Sequence, residues 1–225
     1  MIRSLGLGRR ILARRAPEGP LRDYYEAPYP ELKADCRDVE FVALDLETTG
    51  LDPRQHEIVS IGWVLVRDLK VDMAEHGHIL VKPKSGLTAD SAVIHHIFDD
   101  HLETAEPIDR ALAHILPILA GRALLAHHAR VEQGFLGAAC KAVYKTPLDI
   151  MVADTMALER RRMAAQNQAV KQGDLRLDAV RQRYNLPRYR AHNALLDAVA
   201  CAELFLALVQ HRAAGRRVRL GEVAA

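Results

Sequence analysis

The sequence predicts an α/β fold, a mixed sheet with helices on both faces, and three observations carry that expectation. Phe41-Val42-Ala43-Leu44 runs without a polar residue into Asp45-Leu46-Glu47 and the turn Thr48-Thr49-Gly50. An unbroken apolar run ended by a turn signal is a strand covered on both faces. Two more strand patterns, residues 57–66 (EIVSIGWVLV) and 76–81, follow with no helical pattern between them, so the first three strands form an antiparallel meander. Beyond them, short apolar strands alternate with helical periodicity, which adds parallel strands and covers both faces.

The elements follow in order. Residues 1–38 read as a basic, proline-containing extension: 9–15 form a short basic helix, and Pro17, Pro20, Pro28 and Pro30 impose an extended linker. The core domain, 39–212, opens with the apolar strand. Pro83 ends the third strand, and residues 91–97 form a short helix. Pro107 starts a longer helix with Ile108, Leu112, Ile115 and Leu119 on one face and Gly121 as its stop. A strand at 124–126, a helix at 130–143 and a last strand at 149–154 come next. Then come a helix through Ala165, a polar loop at 166–173, a helix at 174–184 and a final helix from 193 to about 212. Residues 213–225 form a basic tail.

A chain of 225 residues with 49% hydrophobic and 27% charged residues buries a real core and is not disordered. Its net charge of +2 does not announce a nucleic-acid binder, but cations gather at the ends: Arg3, Arg9, Arg10, Arg14 and Arg15, then Arg212, Arg216, Arg217 and Arg219. Such ends attract phosphate or stay solvated. Cys140 and Cys201 lie in alanine-rich helical patterns as small core residues, Cys36 is remote from both, and no zinc spacing occurs. No apolar run of about 20 residues is expected to span a bilayer. The basic start lacks a secretory apolar segment and is soon followed by Glu18, Asp23, Glu26 and Glu31, so a cytoplasmic location is expected.

Side chains alternate along a strand, which places Asp45 and Glu47 on one face at the end of the first strand. Alone, such a pair is an ordinary surface feature. Side by side on a buried strand the two acids repel unless a hard divalent cation sits between them. Asp197 sharpens the question. From Ala194 to Val209 the only charged residues are Asp197 and Glu203, and Ala200, Cys201 and Leu204 stand at i+3, i+4 and i+7 from Asp197. A carboxylate on that apolar face needs a metal ion or a basic partner such as Arg188 or Arg190, whereas Glu203 points to the wet side. Glu132 repeats the pattern, with Phe135, Leu136 and Ala139 along its stripe. Asn193 is a good N-cap, so His192 falls on the loop just before the helix of Asp197. Among eleven histidines it stands out for that offset, and a loop imidazole there suits general-base work.

Residues 41–51 (FVALDLETTGL), 124–135 and 191–198 (AHNALLDA) together resemble the three exonuclease motifs of the DnaQ-like family, in the DEDDh branch that includes the proofreading ε subunit of bacterial DNA polymerase III. The resemblance runs from about residue 41 to 210. Val93-Ile94-His95-His96-Ile97, Asp154-Thr155 and the stretch 175–186 look like further family elements. One motif departs: where the family usually shows H-N-A-x-F-D, this chain has His127-His128-Ala129-Arg130-Val131-Glu132. Glu132 thus stands in the usual aspartate place with one more methylene, and His128 replaces asparagine.

The resemblance implies a ribonuclease H-like, mixed five-stranded sheet and hydrolysis of terminal phosphodiesters from 3′ ends, releasing nucleoside 5′-monophosphates. It implies two divalent ions, Mg²⁺ or Mn²⁺, with Asp45 bridging them, Glu47 and Asp197 completing the shell of one, and Glu132 holding the other through water. His192 is the implied general base. Thr48, Thr49, Gly50 and Leu51 are implied to line the terminal nucleotide, with His95 and His128 also on the substrate. Single-stranded DNA is the expected substrate, read with little base specificity. The alternatives are an exoribonuclease or oligoribonuclease of the same superfamily, and a catalytically weakened nucleic-acid-binding or interaction module. The N-terminal extension is expected to dock a partner, such as a DNA polymerase acting in trans or another protein, to dimerise, or to stay floppy.

Overall fold

A computed structural model describes residues 5–84, 105–189 and 192–225. Five strands, β1 (Phe41–Thr48), β2 (Ile58–Arg67), β3 (Lys70–Leu80), β4 (Ala123–Ala126) and β5 (Val152–Asp154), form one sheet in the order β3-β2-β1-β4-β5. The first three pair antiparallel, and β4 and β5 add in parallel beside β1. This is the mixed α/β sheet that the strand pattern predicts. The helix expected at 91–97, and His95 with it, lies outside the described residues.

Alternation along β1 divides the core into two layers. Val42, Leu44 and Leu46 face one cluster with α3 (Ile108–Leu119) and α4 (Arg130–Tyr144). Phe41 and Ala43 face the other, which gathers α5 (Thr155–Ala165), α6 (Leu177–Arg183) and α7 (Ala194–Ala213). The rings of Phe41 and Phe205 of α7 meet at 4.8 Å between centroids. Asp45 and Glu47 continue the Phe41–Ala43 row, so the fold delivers both acids to the α7 side. α7 itself, 20 residues with a mean hydropathy of 1.6, is long and apolar enough to match a membrane span, contrary to the sequence expectation. It is the helix that covers the sheet, with Leu204, Phe205 and Leu208 in the core.

Two boundaries differ from expectation for identifiable reasons. β3 begins at Lys70, because Asp68 and Leu69 take left-handed conformations (φ 48° and 51°) in a tight turn. Such hairpin turns usually announce themselves with glycine or asparagine, and here they do not. β5 is shorter than 149–154 because side chains from the N-terminal extension occupy the backbone of residues 149–151: Tyr24 donates to the Asp149 carbonyl (2.9 Å), Tyr25 accepts from the Asp149 N–H (2.9 Å), and Tyr29 accepts from that of Met151.

That extension is no extended linker. It forms α1 (Leu5–Arg15) and α2 (Pro20–Glu26), with Pro20 at the first helical position where its missing N–H is not needed. Leu21, Tyr24 and Tyr25 enter the core. Arg9, only 4% exposed, is caged by Tyr24, Tyr25 and Tyr29, its guanidinium 4.7, 5.1 and 3.9 Å from their ring centroids, and donates to the Tyr24 carbonyl at 2.6 Å. The basic tail folds back as well. Val218, Leu220 and Val223 are buried, the last two in α8 (Leu220–Val223), and Cys36 donates its N–H to the Val218 carbonyl. All three cysteines are buried free thiols, and burial pushes those of Cys36 and Cys140 up to about 12.

Arg9→Ala removes three cation–π contacts and leaves a buried carbonyl short of its donor. It is expected to lower unfolding stability by about 2–4 kcal/mol, as chemical denaturation measures, whereas Arg10→Ala on the exposed side of α1 is expected to be neutral.

Candidate active site

The C-terminal end of β1 carries the site. A carboxylate oxygen from each of Asp45, Glu47 and Asp197 lies within 4.8 Å of the others. Strand geometry supplies the first two, and the first turn of α7 supplies the third. Gly62 makes the approach feasible. It sits directly opposite Asp45 in β2, and a Cβ there would collide with the backbone of Ala194 and Leu195. The missing side chain lets the start of α7 lie against the sheet beside the β1 acids. A glycine inside an otherwise β-branched strand is the sequence signal for such an approach, and the sequence reading passed over it.

The acids disturb one another. Burial, then the charges of Glu132, Glu47 and Asp197, raise the Asp45 pKa well above the usual carboxylate range. Asp197 is also raised, by burial and by Glu47, although the His192 N–H bonds its Oδ2 at 2.9 Å and counteracts this. Neither Arg188 nor any other described cation forms an ion pair with it; Arg190 lies outside the described residues. Glu203 pairs instead with Arg181 and the Tyr189 hydroxyl, both at 2.8 Å.

Glu132 stands apart from the three-carboxylate group but close enough to raise Asp45. It occupies the first turn of α4, 2% exposed, and its Oε2 has no hydrogen-bond partner among the described residues. Burial lifts its pKa from 4.5 to about 8, with Asp154 adding to the rise. Asp154 was noted in the sequence without a role. Its carboxylate accepts from the N–H groups of His128 and Ala129 at the head of α4, and from Met156 and Ala157 as the N-cap of α5. It thereby ties the helix bearing Glu132 to the end of β5. His127 completes the tie, its ring bonded to Thr155 Oγ1 and to the Leu175 carbonyl, both at 2.8 Å.

Two exposed histidines take left-handed conformations, His128 (φ 73°) before α4 and His192 (φ 68°) before α7. Each gives its backbone N–H to a carboxylate, that of Asp154 or Asp197. Asn193 caps α7 through Leu196 N, as its residue type predicts. Histidine, like asparagine, is among the non-glycine residues enriched at positive φ, so His128 can take this backbone conformation. On the turn after β1, Thr48 donates to the Gly50 carbonyl and Thr49 accepts from the Glu57 N–H. Gly50 leaves room for the His56 ring, and Leu51 projects into solvent, 86% exposed.

Clustered oxygen donors, an orphaned buried carboxyl oxygen and carboxyl groups with elevated proton affinity are what a hard divalent cation relieves. The donor set therefore fits Mg²⁺ or Mn²⁺. Such a cluster at the end of the central strand of this mixed sheet is the kind of donor set that metal-assisted phosphodiester hydrolysis uses. The sequence profile of the RNase T family, described as exonuclease, matches residues 42–205, and the chain belongs to that family, the DnaQ-like DEDDh exonucleases. It is 32% identical over 179 residues to the DNA polymerase III ε subunit of Treponema pallidum, covering 78% of this chain and 79% of that protein. It is 33% identical to the PolC-type DNA polymerase III of Thermotoga petrophila across 76% of this chain, although it spans only 12% of that polymerase. Among solved structures, the fold matches the nuclease domain of 3′hExo, a DEDDh member bound to rAMP (TM-score 0.66, 17% identity, 79% of this chain and 95% of that one). It also matches exonuclease X bound to a 5′-overhanging DNA duplex (TM-score 0.62, 21% identity, 83% and 97%).

Two outcomes follow from this geometry. Gly62→Ala is expected to destabilise the fold by about 1–3 kcal/mol through overpacking against α7, visible in thermal melts, and to weaken Mn²⁺ binding in calorimetry by displacing Asp197. Glu132 holds its proton in the folded state up to about pH 8 and releases it near 4.5 when unfolded. Its stabilising contribution is complete below the unfolded value and is lost as pH rises through the folded one. The metal-free protein is therefore expected to melt at falling temperature between those two pH values, and Glu132→Gln to flatten that slope.

Proposed function

We propose that this chain is a 3′–5′ exonuclease that removes nucleoside 5′-monophosphates from single-stranded DNA ends. One observation carries the reading: three carboxylates converge within 4.8 Å on the end of β1 while a fourth, Glu132, is buried with an unpartnered oxygen. Asp45, Glu47 and Asp197 would hold a divalent metal there, with the unpartnered carboxyl oxygen of Glu132 available beside them. Bound metal supplies an activated water and neutralises charge at the leaving 3′ oxygen. His192, just before the helix that carries Asp197, takes the proton of the attacking water. Its exposed loop position lets it hand that proton to solvent. The Thr48–Leu51 turn receives the terminal nucleotide: the threonine hydroxyls brace the turn, and exposed Leu51 packs against the base. His128 faces the phosphate backbone from the opposite rim. DNA is favoured over RNA because the relatives at 32–33% identity are DNA polymerase III proteins. The exposed Arg10, Arg14 and Arg15 of α1 offer a folded basic surface for a polymerase acting in trans.

The test is release of mononucleotides from single-stranded and 3′-recessed DNA and from RNA of the same sequence, in Mg²⁺ or Mn²⁺. Activity on DNA that EDTA and Asp45→Ala both abolish is the expected result; no release from any substrate would sink the reading, and faster release from RNA would reassign the substrate. His192→Ala is expected to slow turnover by about 10²–10⁴-fold. Glu132→Gln is expected to lose most activity and Glu132→Asp to keep much of it. Full activity in Glu132→Ala would show that another acid does its work.

A further inference from the structure

Two polar residues share the acidic face without belonging to the carboxylate set. Ser60, 1% exposed, interrupts the apolar run of β2 directly opposite Glu47. His78 of β3 lies opposite Gly62, which in turn lies opposite Asp45. Residues directly opposite in a sheet project to the same side, so Asp45, Glu47, Ser60 and His78 form one patch under the start of α7. Because Gly62 has no side chain, the His78 ring reaches diagonally, and its Nε2 lies 2.6 Å from Ser60 Oγ.

We propose that His78 and Ser60 form a hydrogen-bond relay that orients Glu47 for metal binding: Nε2–H of His78 donates to Ser60 Oγ, and the Ser60 hydroxyl is directed at the Glu47 carboxylate. The inference rests on the metal-site reading above. Ser60 has one proton. If it were given to His78, the lone pairs of Ser60 would be turned toward Glu47, the residue opposite it in the strand register, whereas in the relay the hydroxyl proton is turned toward that carboxylate. Electrostatics agree with the placement. Burial lowers the proton affinity of His78, while the Glu47 charge works in the opposite sense. Ser60 and His78 are positioning residues, acting on the metal through Glu47.

The 225-residue chain tests this with His78→Leu, His78→Gln, Ser60→Ala and the double variant His78→Leu/Ser60→Ala. Mn²⁺ affinity is read by calorimetry on the metal-free protein, kcat and KM on a DNA oligonucleotide, and folding by thermal melts. His78→Leu and Ser60→Ala are expected to weaken Mn²⁺ binding by about 10–100-fold and to lower kcat with little change in KM. His78→Gln keeps an N–H at similar reach and is expected to restore most of that affinity. The double variant is expected to be no worse than either single one. Unchanged Mn²⁺ affinity in the variants, with only a lower melting temperature, would reduce the pair to a stitch between two strands and overturn the proposal. Failure of the unaltered protein to bind Mn²⁺ would instead overturn the metal-site reading, and the relay with it.

Discussion

Mutual repulsion among acids at the end of β1 is the constraint on which the rest of this structure depends. Asp45, Glu47 and Asp197 converge, Glu132 presses on Asp45 from a second helix, and burial and proximity together raise the proton affinity of Asp45, Glu132 and Asp197. A chain selected for stability alone would not gather them. Two features of the fold make the arrangement tolerable. Asp197 and Glu132 each sit in the first turn of a helix, where exposed N–H groups and the helix dipole favour negative charge. A divalent cation, which this donor set fits, would supply the remainder.

Both helix starts are built alike. A histidine in the left-handed region precedes the helix, reverses the chain and donates its backbone N–H to a carboxylate. At α7 that carboxylate is a member of the cluster. At α4 it is Asp154, which holds the helix rather than joining the cluster. A conformation uncommon outside glycine persists at both helix starts because the surrounding bonds over-determine it.

The N-terminal extension reaches this site through the core it shares with α4 and through the backbone that leads into β5. Tyr24, Tyr25 and Tyr29, fastened around Arg9, grip residues 149–151. Those residues lead into β5, which ends at Asp154, and Asp154 secures the head of α4 with Glu132. The extension thus belongs mechanically to the part of the sheet that bears the second motif. In the other layer Glu159, fully buried and held below the usual carboxylate range by Arg162, Tyr184 and Arg183, ties α5 to the end of α6.

Features governed by neighbours a few residues away were legible in the chain itself. The apolar run of β1, the i, i+2 spacing of Asp45 and Glu47, the apolar stripes under Asp197 and Glu132, and the Asn193 cap all depend on local periodicity and residue type. Those are properties a short window contains. Tertiary structure alone decided the partners that lie far apart in the chain. Arg9 reads as a solvated cation until the tyrosines close around it. Pro20 reads as a breaker until it starts a helix that packs on the core. Asp154 and His127 acquire their bonds only when β4 and β5 lie side by side, and Ser60 meets His78 only across a strand register. A sequence states which groups seek burial or a partner; which group answers depends on where the sheet brings the chain together.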